Sequence, residues 1–151
     1  MDALIKNLKS LVANLQAYID SRLSMPTPDR LLWDTPTNIR HSVRVMCDSA
    51  GLSLKDKNII TACIQQESNF MPRAIGKPNK NGTIDFGLCQ YNNGKNRLGV
   101  PYWIGPGADF TDTEEVLNDP EKNVRVMIRE YKAGHIKWWA SYSTGAYKRW
   151  L

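Results

Sequence analysis

The sequence predicts an α+β domain that is dominated by helices and carries one small antiparallel hairpin. Apolar residues recur at helical spacing in four separated segments, and two of these segments begin with a capping residue followed by proline. A stretch rich in glycine and asparagine lies between the helical segments, and it contains the tight-turn dipeptide Asn81-Gly82 followed by β-like residues. Helices are therefore expected to form the core, with the hairpin joining them.

The composition is that of a globular protein, with 42% hydrophobic and 23% charged residues. No apolar run reaches the roughly 18 residues of a membrane span, and the first 25 residues do not resemble a signal peptide, so the export route stays open. The net charge of +5 suits an anionic cell wall. A nucleic-acid partner is disfavoured because the basic residues are scattered rather than clustered among aromatics.

Residues 2–24 are predicted to form an amphipathic helix, since leucines recur on one face and Tyr18 extends it. Pro26 and Pro28 then interrupt the chain. We therefore divide the chain into a helix with its connector, residues 1–32, and a main domain, residues 33–151. The helix is expected to pack on the domain, to self-associate or to bind a protein partner, in preference to lying on a membrane.

The main domain begins with two capped helices. Thr35 followed by Pro36 starts the first, which is expected to bury one apolar face and to end at Gly51. Ser53 and Asp56 open the second with the spacing of a capping box. The buried face of this second helix is expected to comprise Ile60, Cys63 and Ile64.

The second half of the domain is predicted to run from strand through loop to helix. Thr83 to Tyr91 is β-like, and residues 99–110 form a loop rich in glycine and proline. Asp119-Pro120 begins another helix, which ends at Gly134, and an aromatic segment closes the chain. The three cysteines have no CxxC spacing and are interpreted as buried hydrophobes, and the two histidines are far apart, so neither a metal nor a cofactor is predicted.

Glu67 stands out in the stretch CIQQESNF at residues 63–70, because it projects from the apolar face at the end of its helix. Burial and the negative end of the helix dipole both raise the pKa of a carboxyl group, which is what a general acid requires. Asp85 lies in the β-like run, and a hairpin folded onto the helix end would bring the two carboxyls together. The alternatives are a solvated helix end for Glu67 and turn support for Asp85.

Four motifs together resemble the lysozyme-like superfamily over residues 55–150. ESNF at 67–70 and Asp85 in GTIDFGLCQYNN are similar to the catalytic segments of animal lysozymes. GLCQ at 87–90, DPEKNVRV at 119–126 and ASYSTGAY at 140–147 resemble soluble lytic transglycosylases, although Ser143 stands where asparagine is usual. Animal lysozymes are rich in disulfides and this chain is not, so the resemblance is closer to bacterial or phage wall-lytic enzymes.

The resemblance implies a lysozyme-like fold with its small sheet beside a cleft, and cleavage of the β-1,4 bond between N-acetylmuramic acid and N-acetylglucosamine in peptidoglycan. It implies that Glu67 is the general acid and that Asp85 stabilises or attacks the oxocarbenium-like state. Among the expected substrate-binding residues, Ser68 would orient Glu67. The others are Gln90, Asn92, Tyr102, Trp103 and Tyr142, of which Tyr102 and Trp103 are equally well interpreted as loop anchors.

Three functions remain open at this stage. A muramidase is favoured by Asp85, whereas a lytic transglycosylase, which generally works with one glutamate, is favoured by the segment around Tyr142 and Gly145. The third is an inactive glycan-binding or structural module of a phage tail or secretion machine. Either enzyme would act at the bacterial cell wall, in the periplasm or outside the cell.

Overall fold

The structure, a computed structural model, describes residues 31–151, and helices make up about half of them. In chain order the elements are α1 (Pro36–Ser49), α2 (Leu54–Ser68), β1 (Asp85–Phe86), β2 (Tyr91–Asn92), α3 (Thr113–Asn118), α4 (Pro120–Lys132), a 3₁₀ turn (Ile136–Trp138), α5 (Ala140–Ser143) and a last 3₁₀ segment (Ala146–Trp150). This confirms the predicted helix-dominated α+β class. The helix expected over residues 2–24 lies outside the described residues.

The three long helices begin at the predicted capping residues. The side chains of Thr35, Ser53 and Asp119 each accept a hydrogen bond from a backbone N–H three residues later, at 3.2, 3.2 and 2.8 Å. These bonds satisfy donors that a helix start leaves without a partner. The start signals in the sequence are therefore confirmed, including both prolines at the first helical position.

The core lies between α1, α2 and α4, and it is apolar. Its fully buried aliphatic side chains include Ile39, Val43, Ile60, Ile64, Val124 and Met127. All three cysteines belong to this core as free thiols. Burial raises the pKa of Cys47 and of Cys63 to about 12, so both thiols are neutral and unreactive at physiological pH.

The hairpin differs in its extent from the predicted one. β1 and β2 pair antiparallel, with Asp85 opposite Asn92, and a turn over residues 87–90 separates them. The predicted small antiparallel hairpin is therefore present, but the β-like run from Thr83 to Tyr91 contains its turn as well as its strands. Gly87 and Gln90 take φ values of +78° and +55°, which no strand residue adopts, and the chain reverses between them.

The Asn81-Gly82 turn is present where the sequence predicts it. The backbone N–H of Asn79 donates to the carbonyl of Thr83 at 2.8 Å, and Gly76 N–H donates to the carbonyl of Asp85 at 2.8 Å. The segment that precedes the turn thus runs antiparallel to β1. Two successive turns place Asp85 in the middle of three adjacent extended segments.

Helix α3 was not predicted. Asp112 caps it by accepting a hydrogen bond from Glu115 N–H at 2.8 Å, and only Val116 and Leu117 are buried along its six residues. A helix this short shows no apolar period in the sequence.

Within residues 31–151, no helix combines the length and the hydropathy that crossing a bilayer requires.

Candidate active site

Glu67 lies in the last turn of α2 and is half-buried. The helix ends at Asn69 and Phe70, which both adopt left-handed backbone, with φ of +53° and +57°. Such backbone is costly for a bulky residue, and it persists only where surrounding contacts hold it. Here Gln65 donates to Asn69 Oδ1 and accepts from Arg40, whose guanidinium lies 5.0 Å from the ring centroid of buried Phe70. The end of the helix, and Glu67 with it, is thereby held in place.

The carboxyl group of Glu67 is in contact with α5. The backbone N–H of Ser141 donates to Glu67 Oε1 at 3.2 Å. Burial raises the pKa of Glu67 above its ordinary value, hydrogen bonding from Ser141 opposes this rise, and the negative charge of Asp85 adds to it. Glu67 therefore retains its proton to higher pH than a solvated glutamate, as expected of a general acid.

Asp85 has a polar environment, in contrast to Glu67. Asn92 donates from Nδ2 to Asp85 Oδ1 at 2.7 Å, and Asn79 donates from Nδ2 to Asp85 Oδ2 at 3.2 Å. Two amide donors on two different oxygens hold the carboxyl group in one orientation. The site thus combines one carboxyl in an apolar setting with one in a hydrogen-bonded setting, the combination that separates acid and base roles.

Asn92 and Gln90 both have structural partners. Besides Asp85, Asn92 donates to Thr83 Oγ1 at 2.9 Å and accepts from the backbone N–H of Gly94 at 2.8 Å. Gln90 donates from Nε2 to the carbonyls of Gly87 at 2.9 Å and Ala74 at 3.3 Å. These contacts show that both side chains brace the hairpin that carries Asp85.

Ser68 does not orient Glu67, contrary to the expectation. Its hydroxyl donates to the carbonyl of Ile64 at 3.3 Å, one turn back along α2, and its side chain is buried. This i to i−4 bond is available to any helical serine, and it points the hydroxyl away from the helix end. Ser141 contacts Glu67 instead. The contact joins residues 74 positions apart, so no local sequence pattern could have revealed it.

Tyr142, adjacent to Ser141 in α5, is half-buried. Its ring stacks on Tyr147 with centroids 5.1 Å apart and planes 14° apart. This packing fixes α5 against the last 3₁₀ segment, which in turn packs on α2. Tyr142 therefore supports the short helix whose Ser141 contacts the candidate acid.

An aromatic cavity of about 560 Å³ is lined by Tyr102, Trp103 and Trp138 together with Asp109, Arg129 and Glu130. Tyr102 and Trp138 are 57% and 59% exposed, so their rings are available to a ligand. Trp103 is more enclosed, with its ring centroid 5.1 Å from Tyr91 and 5.7 Å from Trp138. Tyr102 and Trp103 thus line one cavity, and their role in binding a glycan stays a prediction. The sequence did not indicate Trp138, because it lies outside the four motifs and in a segment without helical periodicity.

The charged residues that line this cavity are hydrogen-bonded to one another. Arg129 donates to both carboxylate oxygens of Asp109, at 2.7 and 2.8 Å, and also to Glu130. Burial alone would raise the pKa of Glu130, but hydrogen bonds from His135 and Arg129 hold that pKa below its ordinary value. His135 also stacks on Trp138, with ring centroids 4.1 Å apart, so the network fixes one aromatic wall of the cavity.

In the part of the chain that the structure describes, no group of three or more His, Cys, Asp or Glu residues is arranged to hold a metal ion.

Comparisons with known proteins identify the family of this chain. No match was found among curated proteins. Among solved structures, the chain is similar to a lysozyme from Litopenaeus vannamei, with 22% identity over 69% of this chain and 82% of that chain, and a TM-score of 0.46. The family model described as "Transglycosylase SLT domain" matches residues 53–150, which include Glu67, Asp85, the aromatic cavity and Ser141. Because this match covers more than half of the chain, the chain belongs to the family of transglycosylase SLT domains, a branch of the lysozyme-like superfamily that acts on peptidoglycan.

Proposed function

We propose that this chain is a muramidase that hydrolyses the β-1,4 bond between N-acetylmuramic acid and N-acetylglucosamine. Family membership supplies peptidoglycan as the substrate and a glycosidase or transglycosylase as the class of enzyme. The observation that carries the finer proposal is the pairing of unlike carboxyls. Glu67 has a raised pKa, and Asp85 accepts hydrogen bonds on both oxygens.

In the proposed reaction, Glu67 donates its proton to the glycosidic oxygen while the bond from that oxygen to C1 breaks. The positive charge that develops on the sugar ring is stabilised by the Asp85 carboxylate, either as an ion pair or as a covalent ester. A water molecule then attacks C1, and where an ester has formed, the bond from C1 to the Asp85 oxygen breaks and releases the carboxylate. The Glu67 carboxylate takes a proton from that water, which restores the starting state of both carboxyls.

The second candidate is a lytic transglycosylase, which the family match favours. Glu67 would then serve alone as acid and base, and the 6-hydroxyl of the muramic acid would attack C1 in place of water. The product would be a 1,6-anhydro sugar, one water lighter than the hydrolysis product. Asp85 would have only a structural or weak electrostatic role in this reaction.

Digestion of purified peptidoglycan, followed by mass spectrometry of the muropeptides, separates the two candidates. We expect hydrolysed reducing ends from the wild type, and 1,6-anhydro ends as the main product would contradict the muramidase. Absence of any cleavage would favour the third alternative, a glycan-binding or structural module. The measurement therefore distinguishes all three functions in one experiment.

The Asp85→Asn variant tests the role of the second carboxyl. We expect the initial rate of wall cleavage to fall about 100-fold, because a neutral amide does not stabilise a developing cation. Asp48→Asn is the matched control, since Asp48 is exposed and lies at the end of α1, where it pairs with Lys57 in the first turn of α2. A variant that keeps most of its activity and still releases hydrolysed ends would show that Asp85 is not needed for hydrolysis.

The aromatic cavity is proposed to bind the glycan by stacking on sugar faces. The Tyr102→Ala variant should raise the KM for soluble glycan strands about five-fold and leave kcat nearly unchanged, since the ring contributes binding and no chemistry. Leu98→Ala is the control because Leu98 is in the same loop region, is 87% exposed and does not line the cavity. Equal KM values for the two variants would remove Tyr102 from the binding site.

We further propose that the chain acts at the bacterial cell wall, in the periplasm or outside the cell, because its substrate is there. The family's substrate supports this location. The amphipathic segment at residues 2–24 stays a prediction, as does its expected role in self-association or in binding a protein partner.

A further inference from the structure

Ser141 has a buried hydroxyl that makes no hydrogen bond of good geometry. Its side chain is 4% exposed, and its Oγ has no hydrogen-bond partner among the residues that the structure describes. A buried hydroxyl without a partner is costly, and most folds avoid it. The neighbouring serine in the same helix, Ser143, is exposed and donates to the carbonyl of Ala140 at 3.4 Å. The two serines therefore differ in both burial and pairing.

The backbone of Ser141 shows what its hydroxyl faces. The Ser141 N–H is 3.2 Å from Glu67 Oε1. The Ser141 side chain is also near enough to the Glu67 carboxyl and the Cys63 thiol to oppose the rise in pKa that burial causes in both groups, although its Oγ makes no hydrogen bond of good geometry to either. The other titratable groups around Glu67 are Cys63 on the same helix, Cys89 in the hairpin turn and Asp85 on β1. Burial raises the pKa of both thiols, so they are neutral, and Asp85 is the charged neighbour among these groups.

We propose that Ser141 is a positioning residue whose hydroxyl donates a hydrogen bond to the Glu67 carboxylate after the acid has released its proton. The inference rests on the proposed role of Glu67 as the general acid. While Glu67 is protonated, its own O–H points to the glycosidic oxygen and the Ser141 hydroxyl does not donate to it. When that proton moves to the leaving oxygen and the C1–O bond breaks, the new carboxylate receives two donors from Ser141, the backbone N–H and the rotated O–H.

The hydroxyl remains a hydrogen-bond donor throughout, and its own O–H bond never breaks. The second proton transfer runs from the attacking water to the Glu67 carboxylate, which regenerates the acid. Two donors on one buried carboxylate favour its charged form and oppose the effect of burial. Ser141 thereby sets the upper pH limit of catalysis, since cleavage needs protonated Glu67 at its start.

The test compares Ser141→Ala with Ser143→Ala. Glutamate carbons are labelled with ¹³C, the Glu67 signal is assigned by its loss in Glu67→Gln, and that signal is titrated in each protein. Loss of the Ser141 hydroxyl should move the titration of Glu67 upward by about one pH unit, which is what one hydrogen bond to a charged group contributes. Ser143→Ala should leave the titration unchanged, and Ser141→Thr, which keeps a hydroxyl, should restore it.

The pH profile of kcat/KM for wall cleavage should move with the titration, so that the alkaline limb of Ser141→Ala lies about one unit higher. An unshifted or lowered titration midpoint in Ser141→Ala would overturn the proposal, and so would a loss of rate with no change in the pH profile. The titration reports on Ser141 even in a protein that cleaves nothing. Failure of the proposed enzyme activity is therefore distinguishable from failure of this inference.

Discussion

Replacing Glu67 by glutamine is expected to lower the rate of cell-wall cleavage about 1000-fold, which is the size of a typical general-acid contribution. Glutamine keeps the shape of the side chain and accepts the same hydrogen bond from Ser141 N–H, so the fold around it should be preserved. What it lacks is a transferable proton. The loss should therefore appear in kcat, with little change in KM.

The rate is measured as the initial clearing of suspended bacterial walls and, independently, as new reducing ends. Glu114→Gln is the matched control, because Glu114 is an exposed carboxylate on α3 whose contacts are a long ion pair with Arg73 at 3.7 Å and an exposed hydrogen bond from Asn118 at 3.0 Å. It should cleave walls at the wild-type rate. A Glu67→Gln protein that retained more than a tenth of the activity would show that the acid is another residue.

The same substitution should stabilise the fold at neutral pH. Burial raises the pKa of Glu67 in the folded state above its ordinary value of 4.5, so the folded protein binds more protons than the unfolded chain between the two pKa values. Its stability therefore falls as the pH rises through that window. Glutamine removes this penalty, and we expect a gain of about 1 kcal/mol, or about 4 °C in Tm, at pH 7. At a pH below 4.5 the gain should vanish, because both states are then protonated.

Local signals in the sequence predicted the three long helices and singled out the candidate acid. Caps such as Thr35 and Asp119 act within four residues, and the apolar face that carries Glu67 follows helical spacing, so both are visible without tertiary structure. The same reasoning failed at Ser68, where nearness in sequence suggested a contact. The helix directs that hydroxyl back to its own carbonyl at Ile64.

The parts of the site that could not be predicted depend on contacts between distant segments. Ser141 meets Glu67 across 74 positions, and Asn79 meets Asp85 through a turn whose geometry depends on backbone angles rather than on side-chain pattern. The turn that interrupts the β-like run also depends on contacts with distant segments. Nothing in the alternation of residues 83–91 indicates that Gly87 is pressed against two helices.

Gly87→Ala should therefore have the largest effect on stability of any single methyl addition in the hairpin. A Cβ at this position would lie 2.5 Å from Asn123 Oδ1 and 2.6 Å from Val116 Cγ1. Asn123 cannot easily move away, because it is fully buried and donates from Nδ2 to the carbonyls of Val116 and Asp119, at 2.9 and 2.8 Å. We expect a loss of about 3 to 4 kcal/mol in the free energy of unfolding, measured by urea denaturation.

Gly82→Ala separates the two causes of this loss. Gly82 has nearly the same backbone, φ +80° against +78° for Gly87, but nothing lies within 4 Å of a Cβ built on it. Its substitution should cost only the left-handed backbone penalty of about 1 kcal/mol, so the remaining 2 to 3 kcal/mol at Gly87 measures the collision with α3 and α4. Equal losses at the two glycines would show that the hairpin can move away from the helices. If the collision is relieved by displacing β1, Asp85 moves as well, and the Gly87→Ala protein should lose wall cleavage at temperatures where it is still folded.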